Sequence, residues 1–156
     1  MSNGAQTTPR AGGRARHRAW IGGAVFTGGF VANGVFPDAL ADRPLPLPNA
    51  PTAAVLDYFA TQGAASTASG ICILVMTVGL AVFARAVGAL APPDPLRTAA
   101  GAVAIAALAV SGLLSLLLAV LGPSGADAAV LLTRSTNFYT GGVIHVVALG
   151  VYVATL

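Results

Sequence analysis

The sequence predicts an all-α membrane protein: a bundle of four transmembrane helices with short outer interfacial helices and both ends cytoplasmic. Three observations carry this. Apolar residues make up 56% of the 156 and charged residues 8%, against about 25% charged in an average soluble domain. Such a chain cannot clothe a water-facing surface in polar groups. Four apolar runs, at about 20–36, 66–90, 98–121 and 138–156, are long enough to cross a bilayer. Threading them alternately puts Arg10, Arg14, Arg16, Arg18, Arg85 and Arg97 on one side and Arg43 and Arg134 on the other. The positive-inside rule makes the richer side cytoplasmic, in what reads as an inner (cytoplasmic) membrane.

Residues 1–18 are rich in Gly, Ala and Arg without an apolar period, and read as a disordered basic cytoplasmic tail ahead of one domain, 19–156. The first run, Trp20–Phe36, is expected to stop at Pro37. The basic stretch, this run and Ala39-Leu40-Ala41 also fit a secretory signal cleaved near residue 41. Five prolines in 37–51 mark an extended loop. From Thr52 the pattern turns helical, with Val55, Leu56 and Phe59 on one face and Asp57 and Thr61 on another. This reads either as a helix in the outer interface, broken at Gln62-Gly63, or as an extension of the second span.

Arg85 falls near the inner end of the second span, where it can snorkel to headgroups. Asp94-Pro95 then has the form of an N-cap with proline at the first helical position. Gly122-Pro123 stops the third span, and Ser124-Gly125-Ala126-Asp127 has the S-x-x-D form of a capping box. A short outer helix through Leu132 is expected to follow, with a bend near Ser135–Asn137 or a protruding end before the fourth span. Gly28 and Gly142 are the expected points of close helix approach, since small residues let backbones meet in lipid. The chain stops at its last apolar residue, which reads as a natural end or as a fragment of a longer protein.

Several function classes lack their residues. A single cysteine, Cys72, leaves no disulfide and no CxxC motif. The eight basic residues, all arginine, show no patch with a nucleic-acid-binding pattern. The stretches VLDYFATQGAASTASG (55–70) and LLTRSTNFYTGGVIHVVALG (131–150) resemble a group of uncharacterised multi-span membrane proteins of high-GC bacteria. That resemblance implies an outer amphipathic helix before the second span and a short outer helix leading into a Gly-Gly-containing one. It implies no activity or catalytic residue.

His145 is the one histidine inside an apolar run, and a titratable side chain at membrane depth is a functional candidate by default. No carboxylate lies deep in a span to form a relay, and the further ligands of a zinc or haem site are missing. Counting depth from the ends of the runs sets Thr27, Ser111 and Ser115 level with the imidazole. These four form the candidate intramembrane polar site, with His145 neutral, facing the bundle and bonded to a hydroxyl. Asn33, Arg134, Asn137 and Tyr139 form a candidate outer-interface cluster. Neither group composes a catalytic or metal set, and no cofactor is expected. The expected function is that of a non-enzymatic packing or interaction subunit, with a small oligomeric transporter or channel as the alternative. The expected partners are the lipid bilayer and either a second copy or another membrane protein.

Overall fold

A computed structural model describes residues 10–156. Its elements are α1 (Arg10–Leu40), α2 (Thr52–Thr61), α3 (Gly63–Gly88), α4 (Pro95–Leu121), a 3-10 turn (Gly122–Ser124), α5 (Asp127–Phe138), a π-helical segment (Tyr139–Ile144) and α6 (His145–Ala154). No strand occurs among the described residues. Four helical stretches, Gly12–Leu40, Gly63–Gly88, Pro95–Ser124 and Asp127–Ala154, are long and apolar enough to cross a membrane. The chain is an all-α membrane bundle.

The helices run up, down, up and down, with α1 packed along α3, α3 along α4, and α4 along α5 and α6. The first and last helices do not pack along one another, so the bundle has an open seam. Residues 41–62 form a roof over one end. Arg97 closes the other, its guanidinium donating to the carbonyls of Pro92 and, at 3.4 Å, Thr155.

Lipid supplies no hydrophobic force between helices, so contact depends on how closely the backbones can come. A Cβ built on Gly22 would lie 2.5 Å from the Phe83 nitrogen, and one on Gly79 would lie 2.4 Å from the Phe26 nitrogen. Neither position tolerates a side chain. Gly70 and Gly112 do the same between α3 and α4, where a Cβ would meet Leu116 at 2.7 Å and Leu74 at 2.9 Å. The expectation that Gly28 and Gly142 mark helix contacts is overturned, because a Cβ on either meets nothing within 4 Å. Glycine pairs recur along α1, and only the face turned to α3 selects among them.

Several boundaries differ from those read off the sequence. Residues 10–18, expected as disordered, are helical; residues 1–9 of that tail lie outside the described residues. Extending a nucleated helix costs little, and Arg and Ala are good helix formers. Pro37 does not stop α1, which continues to Leu40. In the last turn a proline forfeits only the bond to the carbonyl four residues back, here that of Asn33. Asp94 caps α4 as its pattern implied, accepting from the Leu96 and Arg97 amides at 2.8 and 3.2 Å. The Ser124 capping box does not form. Ser124 donates back to the Leu121 carbonyl at 2.6 Å, Gly125 turns the chain at φ 72°, and Ala126 precedes the helix without a side-chain cap.

The fourth span starts at Asp127 rather than Phe138. Between Asp127 and Thr140 there is no glycine or proline to end a helix, so the expected separate outer helix is the first three turns of the span itself. α2 is a distinct helix broken from α3 at Gln62, and it does not lie free in the interface. Val55, Tyr58 and Phe59 pack on Leu118 and Val130. Gly122 sits so close that a Cβ would fall 1.9 Å from the Phe59 carbonyl oxygen.

Gly79→Ala is expected to lower thermal stability in detergent by about 1–3 kcal/mol, the usual cost of overpacking. Gly28→Ala, in open space, should leave it unchanged. Circular dichroism melts of the two variants decide this, and equal melts would remove Gly79 from the helix contact.

Candidate functional site

Beneath the roof the bundle encloses a cavity of about 750 Å³, walled by α1, α3, α4 and the last helix. Its lips are Phe30 and Pro37 on α1 and Phe138 and Val146 across the seam. Phe30, Phe138 and Val146 are exposed. The opening therefore faces sideways, where lipid surrounds a spanning bundle.

The last helix supplies Arg134, Asn137 and His145 to the polar part of the wall. Asn137, Gly141 and His145 are spaced by four residues and all meet α4. On an ideal α-helix such positions drift by about 40° per step, at about 100° per residue. The π segment, in which the His145 amide reaches the Thr140 carbonyl five residues back, takes up that drift. Its wider turn presses Gly141 against Ser111, where a Cβ would lie 2.2 Å from the hydroxyl oxygen.

Asn137 joins the two helices through its side chain. Its amide donates to Ser115 Oγ at 2.9 Å, and its carbonyl accepts from Ser111 Oγ at 2.5 Å. Ser115 Oγ donates in turn to the Ser111 carbonyl at 3.1 Å. This network occupies two of the three hydroxyls that the sequence assigned to His145. The imidazole is buried and faces the bundle, but its Nδ1 lies 3.0 Å from the Ala104 carbonyl oxygen. A carbonyl only accepts, so Nδ1 carries the proton and donates. Thr27, the third expected hydroxyl, is exposed and takes no part. The error is one of register. The depth count set Asn137 level with Leu121, whereas the helix has already run ten residues, about 15 Å, from Asp127. His145 therefore sits opposite Ala104, not Ser111 and Ser115.

The expected outer cluster is split. Asn33 accepts from Ser69 Oγ at 2.9 Å, joining α1 to α3. Arg134 donates to the carbonyls of Pro46, Leu47 and Pro48 at 3.3, 2.8 and 3.5 Å. It thereby straps the proline-rich loop across the cavity end. Asn33, Arg134 and Asn137 all line the cavity, while Tyr139 points outward against Phe138 with ring centroids 5.7 Å apart. The loop is also held from α2, where Arg43 pairs with Asp57 and donates to Thr61 Oγ1 at 2.7 Å.

Sequence reasoning missed Tyr58. It is buried, lines the cavity, and its hydroxyl has no partner among the described residues. Burial pushes the phenol pKa up, the Asp38 carboxylate adds to the rise and Arg43 opposes it. The hydroxyl thus keeps its proton. The available signal was the i, i+3, i+4 spacing of Val55, Tyr58 and Phe59. Among the described residues no three His, Cys, Asp or Glu side chains gather as a metal site.

No protein-family model, curated protein or solved structure matches this chain.

Asn137→Leu is expected to cost about 1–2 kcal/mol, since interhelical bonds in membranes contribute about 0.6 and at most about 1.7 kcal/mol each. In a double-mutant cycle with Ser111→Ala, unfolding in detergent should show non-additivity. Strict additivity would mean that the two side chains are not bonded.

Proposed function

We propose that this is a membrane protein that binds a small apolar molecule taken sideways from the lipid phase, without enzymatic activity of its own. The observation that carries the reading is the laterally open cavity. Its volume of about 750 Å³ lies within the range of ligand pockets, and apolar and aromatic walls with a few polar groups are typical of them. The polar groups at its two ends sharpen the point. Tyr58 Oη and His145 Nε2 have no protein partner among the described residues. A polar group left unpaired in an apolar site costs about 1–3 kcal/mol, so an occupant that satisfies one is favoured. The wall ends at Phe26, His145 and Leu149 and does not run on to the Pro92–Pro93 turn, which favours binding over passage through the bundle.

The second reading is an interaction subunit, with a helix of another protein or a second copy lodged in the seam. It is favoured by α1 and the last helix, the two least buried spans. In either case we place the protein in an inner membrane, roof outward and both ends cytoplasmic, on the arginine asymmetry. Reporter fusions at Asn49 and Thr155 are then expected on opposite sides, with Thr155 cytoplasmic. The reverse orientation would overturn the placement.

Gly142 separates the two readings. It lines the cavity and has open space where its Cβ would be, so a phenylalanine there is expected to take up part of the hollow. In nanodiscs, a photoactivatable fatty acid should label Met76 and Val146, and Gly142→Phe should reduce labelling about tenfold, equivalent to about 1.4 kcal/mol. Unchanged labelling would sink the binding reading. A partner helix would instead appear as a crosslinked protein at the lip residues.

A further inference from the structure

The buried end of the cavity has a chemical preference. His145 is 5% exposed, and Nδ1 is committed as donor to the Ala104 carbonyl. In the neutral ring Nε2 then carries a lone pair and can only accept. Tyr152 Oη is the one side-chain nitrogen or oxygen, among the described residues, that is sealed off without a partner. His145 Nε2, also unpartnered, is thus not sealed, and His145 lines the cavity. Beside it stands Phe26, with ring centroids 6.5 Å apart and planes tilted by 43°. Phe30 and Phe138 follow along the walls.

Resting on the binding reading above, we propose that the occupant is a hydroxyl-bearing aromatic molecule of the alkylphenol or quinol class, whose O–H is donated to His145 Nε2. A ligand offering only acceptors, such as an ester, ether or ketone, sets lone pair against lone pair at this nitrogen. A hydroxyl satisfies it. Depth excludes a headgroup as the source of the donor. His145 lies nine residues from Ala154 and eighteen from Asp127, or about 13 and 27 Å along the helix axis. A phospholipid with its polar part at either surface presents only chain carbons at that level. A phenolic ring with an apolar tail dissolves in the hydrocarbon, carries its donor with it, and packs edge or face against Phe26.

The test compares 4-hexylphenol with its methyl ether, 4-hexylanisole, which differs in lacking the donor. Both are titrated into the full chain in nanodiscs, with empty nanodiscs correcting for partition into lipid. The phenol is expected to bind about tenfold more tightly, equivalent to about 1.4 kcal/mol. The chain has two histidines, His17 and His145, so 15N-histidine labelling follows the buried ring directly. The Nε2 resonance of His145 should move with the phenol and stay with the ether. In His145→Phe the preference should fall to near unity, and in His145→Gln, which keeps an acceptor, part of it should remain. Equal binding of the two probes to the wild type, with no Nε2 shift, overturns this proposal and leaves cavity binding standing. So does a preference that survives in His145→Phe. If neither probe binds beyond the empty-nanodisc level, cavity binding itself fails, and the proposal with it.

Discussion

Close approach of backbones at glycine is the constraint on which the rest of this structure depends. Between membrane helices there is no water to expel, so adhesion comes from van der Waals contact and a few interhelical hydrogen bonds. α3 is the pivot. Through Gly79 it meets α1 with no room for a Cβ, and through Gly70 it meets α4 in the same way. Because both close contacts involve α3, α1 and the last helix are held on either side of the α3–α4 pair and not against each other. The seam, and the cavity behind it, follow from where these glycines fall.

The last helix is held differently. It meets α4 closely at two glycines, Gly141 against Ser111 and Gly101 of α4 against Tyr152, and polar contacts add to these: Asn137 to Ser111 and Ser115, then His145 to the Ala104 carbonyl. The π segment makes this possible by keeping Asn137, Gly141 and His145 on one line. A widened turn gives up regular α-helical bonding, and such turns are frequent at functional sites. Here it brings His145 to the wall of the cavity, which a regular helix of the same sequence would turn partly aside. The roof completes the enclosure by similar means. Prolines 44, 46 and 48 prevent residues 44–48 from forming a helix or sheet, and the carbonyls left free are taken by Arg134.

The fold class and the number of spans were legible in the sequence because they rest on local quantities. An apolar run of about twenty residues with almost no charge has one low-energy arrangement in a bilayer, whatever its neighbours do. The Asp94-Pro95 start of α4 was legible for the same reason, since a cap involves only the next three residues. Asn33, Arg134, Asn137 and His145 could be singled out as polar groups without a local purpose, and all four line the cavity.

What each of them touches was decided by the tertiary structure. Partner choice depends on the relative register of helices, and register follows from where each begins and which face its glycines present. The ten residues by which the fourth span starts early move His145 from the level of Ser111 and Ser115 to that of Ala104, and Asn137 takes both hydroxyls instead. Gly28 and Gly142 read the same as Gly22 and Gly79 in one dimension, yet only the latter pair faces a neighbouring backbone. Tyr58 became a wall residue only once α2 folded onto Gly122. Hydropathy follows from single side chains and can be read along the chain. Contact follows from the rotation and rise of whole helices, and only the assembled bundle sets those.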